Sequence, residues 1–577
     1  MEMKQKNMKK DNIYINELIS KMSLDQKIGA ILTLGFAGTL VRPHIYEDIL
    51  KYHCGGLRLS PHARLFGSYV DPKNGKSIVD VVDAKGYKKG INPPYATASD
   101  YKSILDELQA LAKGRPLGIP LHFSYDQEGG TSSDFNFGGV NIFPKPMGIR
   151  ATGDSSLAYE VAKAISKQSK AVGFNWIHSP VLDINTNPYN PEIYTRAYSD
   201  RVEDVIEYSV QSCLGFKEAG MIATGKHFPG RGDSAVDAHF EMPVINVDKQ
   251  TLLSRELLPY KVLIEKGLLP SIMIAHSIFT AIDDKDVATV SKKVITGLLR
   301  EELGFEGVIV TDSMTMGGIA VRYGVVNACI MSLEAGADLI LMKAENNLVS
   351  ELFNAIKIAI KSGRITVEQL EAKVYRVLNL KHEYGMFEQR DKSEKKPEEI
   401  IQGSEIINLS KLVARKSILV ARDKKNILPL PKEERILVIE QINKTSNDMH
   451  WYPGILYMNC LKYNKNIEYL ETAYTYDEDD KINILNAIKK FNTVIITNFY
   501  IRGSLSNNKF ISEVLENSSK KIVVVTNTPY KLSIPGSADT VVITFATSPH
   551  SIEAVSGVLF GEISPEGLWP IKYKLEN

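Results

Sequence analysis

The chain has 577 residues, 44% of them hydrophobic and 24% charged, and 69 Lys and Arg against 68 Asp and Glu leave a formal net charge of +1. That hydrophobic share excludes a disordered chain, and the charge balance gives no electrostatic ground for nucleic acid or an anionic membrane as the main partner. At roughly 150 residues per domain the length implies two to four domains, and a barrel of alternating strands and helices alone takes about 250 residues.

The first segment, MEMKQKNMKKDNIYINELISKMSLDQK, is basic, but no apolar run follows it, so it does not read as a secretory signal. No apolar stretch approaches the roughly 20 residues of a membrane span. The four cysteines, Cys54, Cys213, Cys329 and Cys460, form no C-x-x-C pair and read as buried, reduced thiols. A cytoplasmic, reducing location is the expectation.

Eight short apolar runs follow in order: AILTLGF (30–36), GGLRLS (55–60), IPLHFSYDQE (119–128), GFNWIHSPVLDI (173–184), MIATGKHF (221–228), SIMIAHS (271–277), GVIVTDS (307–313) and DLILMK (338–343). Helical patterns separate them. One is LAYEVAKAISKQSKAVG (157–173), closed by Gly173; another is SKKVITGLLREELG (291–304), with Ser291 placed to cap its start and Gly304 just past its end. Continuous apolar strands alternating with helices imply a parallel sheet covered on both faces. Eight such units predict an α/β fold with a closed (β/α)8 barrel over residues 1–386; an open doubly wound sheet is the alternative. Residues 64–101, rich in Gly, Pro, Lys and Tyr, break the rhythm and read as an inserted loop. The charged stretch at 387–400 reads as a linker. Beyond it, RILVIEQI (435–442), NTVIITNFY (492–500), KKIVVVTN (520–527) and DTVVITFA (539–546) predict a smaller α/β sandwich domain over 401–577.

In such a barrel chemistry sits at the C-terminal ends of the strands. Those ends here carry Asp126-Gln127-Glu128, Asp183 with Arg196 beyond it, Lys226-His227, His276, and Thr311-Asp312-Ser313. Any one of them has a structural reading, since an Asp after a strand is often a helix cap. Their convergence on one mouth is harder to explain that way. The loop after the fifth run, FPGRGDSAVDAH, adds Asp237 and His239 two residues apart. A carboxylate beside one ring nitrogen fixes the imidazole tautomer and leaves the other nitrogen to move a proton. One strand-end carboxylate, a His–Asp dyad and a ring of hydrogen-bonding groups suit glycoside hydrolysis. Asp126, Arg196, Lys226 and His227 would then hold sugar hydroxyls.

These segments resemble glycoside hydrolase family 3, in particular its β-N-acetylglucosaminidases. The resemblance is carried by MSLDQKIGAILTLGF, GIPLHFSYDQEGG, PVLDINTNPYNPEIYTRAYS, KHFPGRGDSAVDAH and GVIVTDSMTM, spanning about residues 20–385, and more weakly by ARKSILVARDKKNILPL and LFGEISPEGLWPIK in the second domain. It implies Asp312 as nucleophile and His239 as general acid/base oriented by Asp237, in a retaining mechanism through a covalent glycosyl-enzyme. It also implies no cofactor and no metal, a small saccharide with N-acetylglucosamine in the first subsite as the partner, and no nucleic acid or membrane partner. The family's β-glucosidases take their acid from a Glu of the second domain instead. Two positions depart from the family pattern: Arg231 stands inside a usual G-H-G, and Thr131 follows D-Q-E-G-G where Arg is usual, with Asp134 near the place of a further Arg. Phosphorolysis on the same scaffold, a β-glucosidase, a metal-dependent hydrolase using His227, Asp237, His239, His276 and Asp312, and a non-catalytic sugar-binding protein are the competing readings. A part for the second domain in outer subsites or in a homodimer stays open.

Overall fold

The computed structural model describes residues 12–61, 97–238, 242–343, 346–388, 395–442, 454–502 and 504–573. Eight parallel strands run through the first two-thirds: β1 (Leu32–Ala37), β2 (Gly56–Ser60), β3 (His122–Tyr125), β4 (Trp176–Ile177), β5 (Ile222–Phe228), β6 (Ser271–Ile274), β7 (Val308–Thr311) and β8 (Ile340–Leu341). Each pairs with the next in sequence from β1 to β7, and β8 pairs with β1. The Thr311 N–H donates to Leu339 O at 3.1 Å, which joins the seventh strand to the eighth and completes the ring. All eight predicted runs are strands of this barrel.

The period-2 alternation of a strand, with both faces buried, explains why the runs are mostly apolar. On β7, Val308 and Val310 face inward with Trp176, Ile222, Met273 and Leu341, while Ile309 between them packs outward with Ile272 and Ile274 beneath the helices. Polar interior groups pair off: Thr33 Oγ1 lies 2.7 Å from His122 Nε2, and Trp176 Nε1 donates to Thr224 Oγ1 at 2.7 Å. The helix Ser156–Val172 ends where expected, at Gly173 with φ 116°, a conformation that a side chain would resist. The segment read as 291–304 differs from an α-helix. It is wound with i→i+5 bonds over Lys293–Glu302, ending with Leu303 N–H on Leu298 O at 2.9 Å; Ser291 Oγ accepts the Val294 N–H at 3.3 Å near its start. Residues 62–96, most of the expected inserted loop, lie outside the described residues, and the helix Ala98–Lys113 starts within its last positions. In the stretch read as a linker, residues 389–394 lie outside the description and Pro397–Ile401 is a short helix.

The second sheet has six strands: β9 (Leu419–Asp423), β10 (Ile436–Gln441), β11 (Ile467–Thr472), β12 (Thr493–Thr497), β13 (Lys521–Thr526) and β14 (Thr540–Ile543), in the order β9-β14-β13-β12-β10-β11. Only the β9–β14 pairing is antiparallel. Helices cover both faces: Val494, Ile496 and Val524 point into one apolar cluster, Ile495, Val523 and Val525 into another. The sequence reading missed β9 and β11 because both are edges. An edge strand needs no continuous apolar run and is safer with charge, as Arg422 and Asp423 on β9 and Glu468 and Glu471 on β11 show. The domain is tied to the barrel by hydrogen bonds to backbone carbonyls: Leu568 N–H donates to Ala151 O at 2.7 Å, and Ser199 Oγ donates to Pro570 O at 2.7 Å. Tyr500 Oη donates to Pro191 O at 2.8 Å beside the barrel mouth. Among the described residues no helix is long and apolar enough to cross a membrane, and all four cysteines are buried and unbridged.

Candidate active site

A cleft of about 1010 Å³ opens at the C-terminal ends of the barrel strands. Its wall is an alternating chain of charge. It starts at Asp134, whose Oδ2 lies 2.6 Å from Arg58 Nη2. Arg58 stands on β2 and also donates to the Asp126 carboxylate. Asp126 Oδ1 accepts Lys226 Nζ at 2.8 Å, and the same ammonium reaches Glu128 Oε1 at 2.5 Å. Glu128 takes Arg196 in a two-pronged pair, Nε to Oε2 at 2.7 Å and Nη2 to Oε1 at 2.9 Å. Arg196 Nη1 lies 3.6 Å from Glu192 Oε1, which accepts Arg231 Nη2 at 2.9 Å. That same Nη2 lies 3.5 Å from Asp312 Oδ2, where the chain ends.

Burying a charge alone is costly; opposite charges and hydrogen bonds around it offset that cost. Most members here are nearly inaccessible, Arg58 at 1% and Glu128 and Lys226 at 2% side-chain exposure, whereas Asp126 at 24% and Asp312 at 13% keep a face open to the cleft. The electrostatics follow. Burial works against the charge of Asp126, but Arg58 and Lys226 outweigh it and hold its carboxyl well below the usual range. Burial likewise opposes ionisation of Glu128, and Arg196 and Lys226 bring it down to about 2. Burial, then Arg231, Arg196 and Lys226, push the His227 imidazole well below its ordinary value, so it is neutral. His227 Nδ1 lies 2.7 Å from Asp183 Oδ2, which sets the proton on Nδ1 and leaves Nε2 as an acceptor, 3.5 Å from Arg196 Nη2. Burial raises Asp183 to about 6, against the opposing pull of Arg231.

Asp312 follows β7 directly. Its own N–H donates to Ile274 O of β6 at 3.1 Å, which anchors its backbone, and its Oδ1 accepts the Ser313 N–H at 2.7 Å, which orients the carboxylate. Asp237 stands on the loop after β5, its Oδ2 3.8 Å from Arg502 Nε. The structure therefore brings Asp126, Arg196, Lys226, His227 and Asp312 around one cleft, with Asp237 at its edge. His239 falls in 239–241, outside the described residues. His276 has no part in the cleft wall: its ring nitrogens are 2.7 Å from Thr289 Oγ1 and 2.9 Å from Ser313 O. Among the described residues no cluster of three His, Cys, Asp or Glu side chains is arranged to hold a metal ion.

Several wall residues were not singled out from sequence. Arg58 had a visible signal, a lone charge inside the apolar run GGLRLS. Glu128 was in view within D-Q-E-G-G. Glu192 had none, because a loop carboxylate reads as surface until its partners are known. The second domain looked bare of candidates, yet it lends Tyr474, Ile501 and Arg502 to the cleft.

Residues 23–380 match the family model described as the glycosyl hydrolase family 3 N-terminal domain. The chain belongs to this family. Among relatives, it is 33% identical over 300 residues to "Beta-hexosaminidase A" of Pseudoalteromonas piscicida, covering 48% of this chain and 50% of that protein. It is 27% identical over 359 residues to "Beta-N-acetylglucosaminidase/beta-glucosidase" of Cellulomonas fimi, covering 60% and 62%. The match thus spans less than two-thirds of either relative. Among solved structures, a glycoside hydrolase family 3 β-N-acetylglucosaminidase from Paenibacillus sp. str. FPU-7 superposes with a TM-score of 0.83 at 27% identity, over 96% of this chain and 100% of that one. The likeness to this family 3 structure therefore extends through both domains.

Proposed function

We propose that this protein is a retaining exo-β-N-acetylglucosaminidase that releases terminal β-linked N-acetylglucosamine from short saccharides or cell-wall fragments. One observation carries the reading: a partly open carboxylate, Asp312, fixed by the Ser313 N–H and flanked by Arg231 at the end of a barrel strand, faces a cleft lined mainly by hydrogen-bonding side chains. The names of the relatives supply the sugar class. In the mechanism, Asp312 attacks the anomeric carbon while protonated His239 donates its proton to the leaving oxygen. The bond to the leaving group breaks as the bond to Asp312 forms. His239, now neutral and oriented by Asp237, then takes a proton from water, which displaces Asp312 and restores the carboxylate with net retention. Asp126, held ionised, accepts from sugar hydroxyls, and Lys226, Arg196 and His227 fix the hydroxyls around it. The barrel over 1–386, a linker at 387–400 and the second domain from 401 are the units we assign. Four buried, unbridged cysteines suit a reducing compartment, and we place the protein in the cytoplasm.

The test is a panel of aryl β-glycosides. The N-acetylglucosaminide is expected to be cleaved in preference to the glucoside and the N-acetylgalactosaminide, with the β-anomer released first and with loss of turnover in Asp312→Asn. Full hydrolysis by Asp312→Asn overturns the proposal. Phosphorolysis is the second reading, because a neutral imidazole repels an attacking phosphate less than a carboxylate would. It replaces the first if phosphate speeds turnover and the product is the sugar 1-phosphate.

A further inference from the structure

We propose that Glu192 and Arg231 form a positioning pair that ties the loop carrying Asp237 and His239 to the nucleophile carboxylate; this rests on the roles given above to Asp312 and His239. Glu192 has two carboxylate oxygens and uses them in opposite directions. Oε1 accepts Arg231 Nη2 at 2.9 Å, and Oε2 accepts the backbone N–H of Ala238 at 3.2 Å. Ala238 lies between Asp237 and His239. Arg231 Nη2 is also 3.5 Å from Asp312 Oδ2. A path of three contacts therefore runs from the acid/base loop through Glu192 and Arg231 to Asp312.

The two side chains are held at the backbone as well. Asn190 Nδ2 donates to Arg231 O at 3.0 Å and to Gly232 O at 3.1 Å, while its Oδ1 accepts the N–H of Glu192 at 3.0 Å and of Ile193 at 2.8 Å. Asp183 Oδ1 accepts the Arg231 N–H at 2.7 Å. At Gly232 a Cβ would fall 1.7 Å from Ile184 O, so the first half of the loop docks flush on the chain after β4. Further along the loop, the Ala238 N–H, next to Asp237, takes its fixed point from Glu192. Three guanidinium groups face this carboxylate: Arg231, Arg196 at 3.6 Å and Arg502 of the second domain at 3.7 Å. Arg231 also keeps two donors, Nε and Nη1, that meet no acceptor among the described residues. The departure at Arg231 from the usual G-H-G is thus paired with a buried acid that reaches it.

Glu192→Gln isolates the idea, because it keeps the volume and removes one acceptor. An amide keeps an acceptor at only one of the two positions, so it cannot meet both Arg231 at Oε1 and the Ala238 N–H at Oε2. Wild type and Glu192→Gln are compared on two β-N-acetylglucosaminides, one with a dinitrophenolate leaving group that departs without a proton and one with an alkyl leaving group that requires one. The pair acting on the acid/base loop predicts a loss in kcat/KM about tenfold to a hundredfold larger for the alkyl glycoside than for the dinitrophenyl glycoside. Arg231→Met, which removes the cation between Glu192 and Asp312, is expected to slow both substrates alike, because both need the nucleophile. Equal losses on the two substrates in Glu192→Gln, or no loss, overturn the proposal. If Glu192→Gln fails to fold, Arg231→Met decides: activity unchanged on both substrates overturns it. Failure of the wild-type enzyme on both glycosides instead overturns the functional reading beneath it.

Discussion

Glu128→Gln tests whether the alternating chain in the cleft wall stabilises the fold. The carboxylate is buried and meets two cations, Arg196 through both oxygens and Lys226 through one. Burial alone would raise its pKa; these partners bring it to about 2 from an ordinary 4.5. That gap corresponds to about 3 kcal/mol of stabilisation of the ionised form in the folded state. It agrees with the roughly 3–5 kcal/mol lost when one member of a buried pair is removed. The folded value lies below the unfolded one, so this stability is present in full above pH about 4.5 and fades as pH falls toward 2. Urea unfolding followed by tryptophan fluorescence is the assay. Glu128→Gln is expected to be less stable than wild type by about 3 kcal/mol at pH 7, with the difference shrinking below pH about 4.5. A variant as stable as wild type at pH 7, or a deficit undiminished in acid, refutes the reasoning.

Three further outcomes are expected. Burial raises the Glu256 carboxyl to about 7 despite Arg255, so ionising it costs stability progressively above pH about 4.5 and fully above pH about 7; Glu256→Gln should match wild type near pH 4 and exceed it by about 2–3 kcal/mol at pH 8, measured by the same unfolding curves. Arg502→Met removes the cation that the second domain sets near Asp237 and Glu192; kcat/KM should fall about threefold to tenfold, while Tm barely moves because a pair this exposed is worth about 0–1 kcal/mol. His239→Ala should lower kcat by about a hundredfold or more on an alkyl glycoside, with azide restoring turnover of a dinitrophenyl glycoside as the β-glycosyl azide. Absence of the azide product would remove His239 from the acid/base role.

The barrel was legible because parallel strands buried on both faces are predominantly apolar, and the eight runs from AILTLGF to DLILMK are so. The edges of the second sheet were not, since Leu419–Asp423 and Ile467–Thr472 each need only one apolar side. The strand-end residues Asp126, Lys226, His227 and Asp312 were legible because a strand's C-terminal end in this fold is a fixed place. Arg58 could have been read the same way, as a lone charge inside the buried strand Gly56–Ser60. Glu192 and Arg502 could not. Their meaning lies in partners 39 and 265 residues away, Arg231 and Asp237, brought near by loop packing and by the docking of one domain on the other. The i→i+5 winding at Lys293–Glu302 was also hidden, because an amphipathic period near four fits either helix.

The most direct test of the central claim is trapping of the glycosyl-enzyme. The protein is treated with an activated 5-fluoro analogue of N-acetylglucosamine, which slows release of the covalent intermediate, then digested and mapped by mass spectrometry. One sugar per chain is expected, carried by Asp312 in the peptide that holds VIVTDSM. A label on another carboxylate, such as Glu128, or steady turnover of an aryl glycoside with release of the α-anomer first, would contradict it.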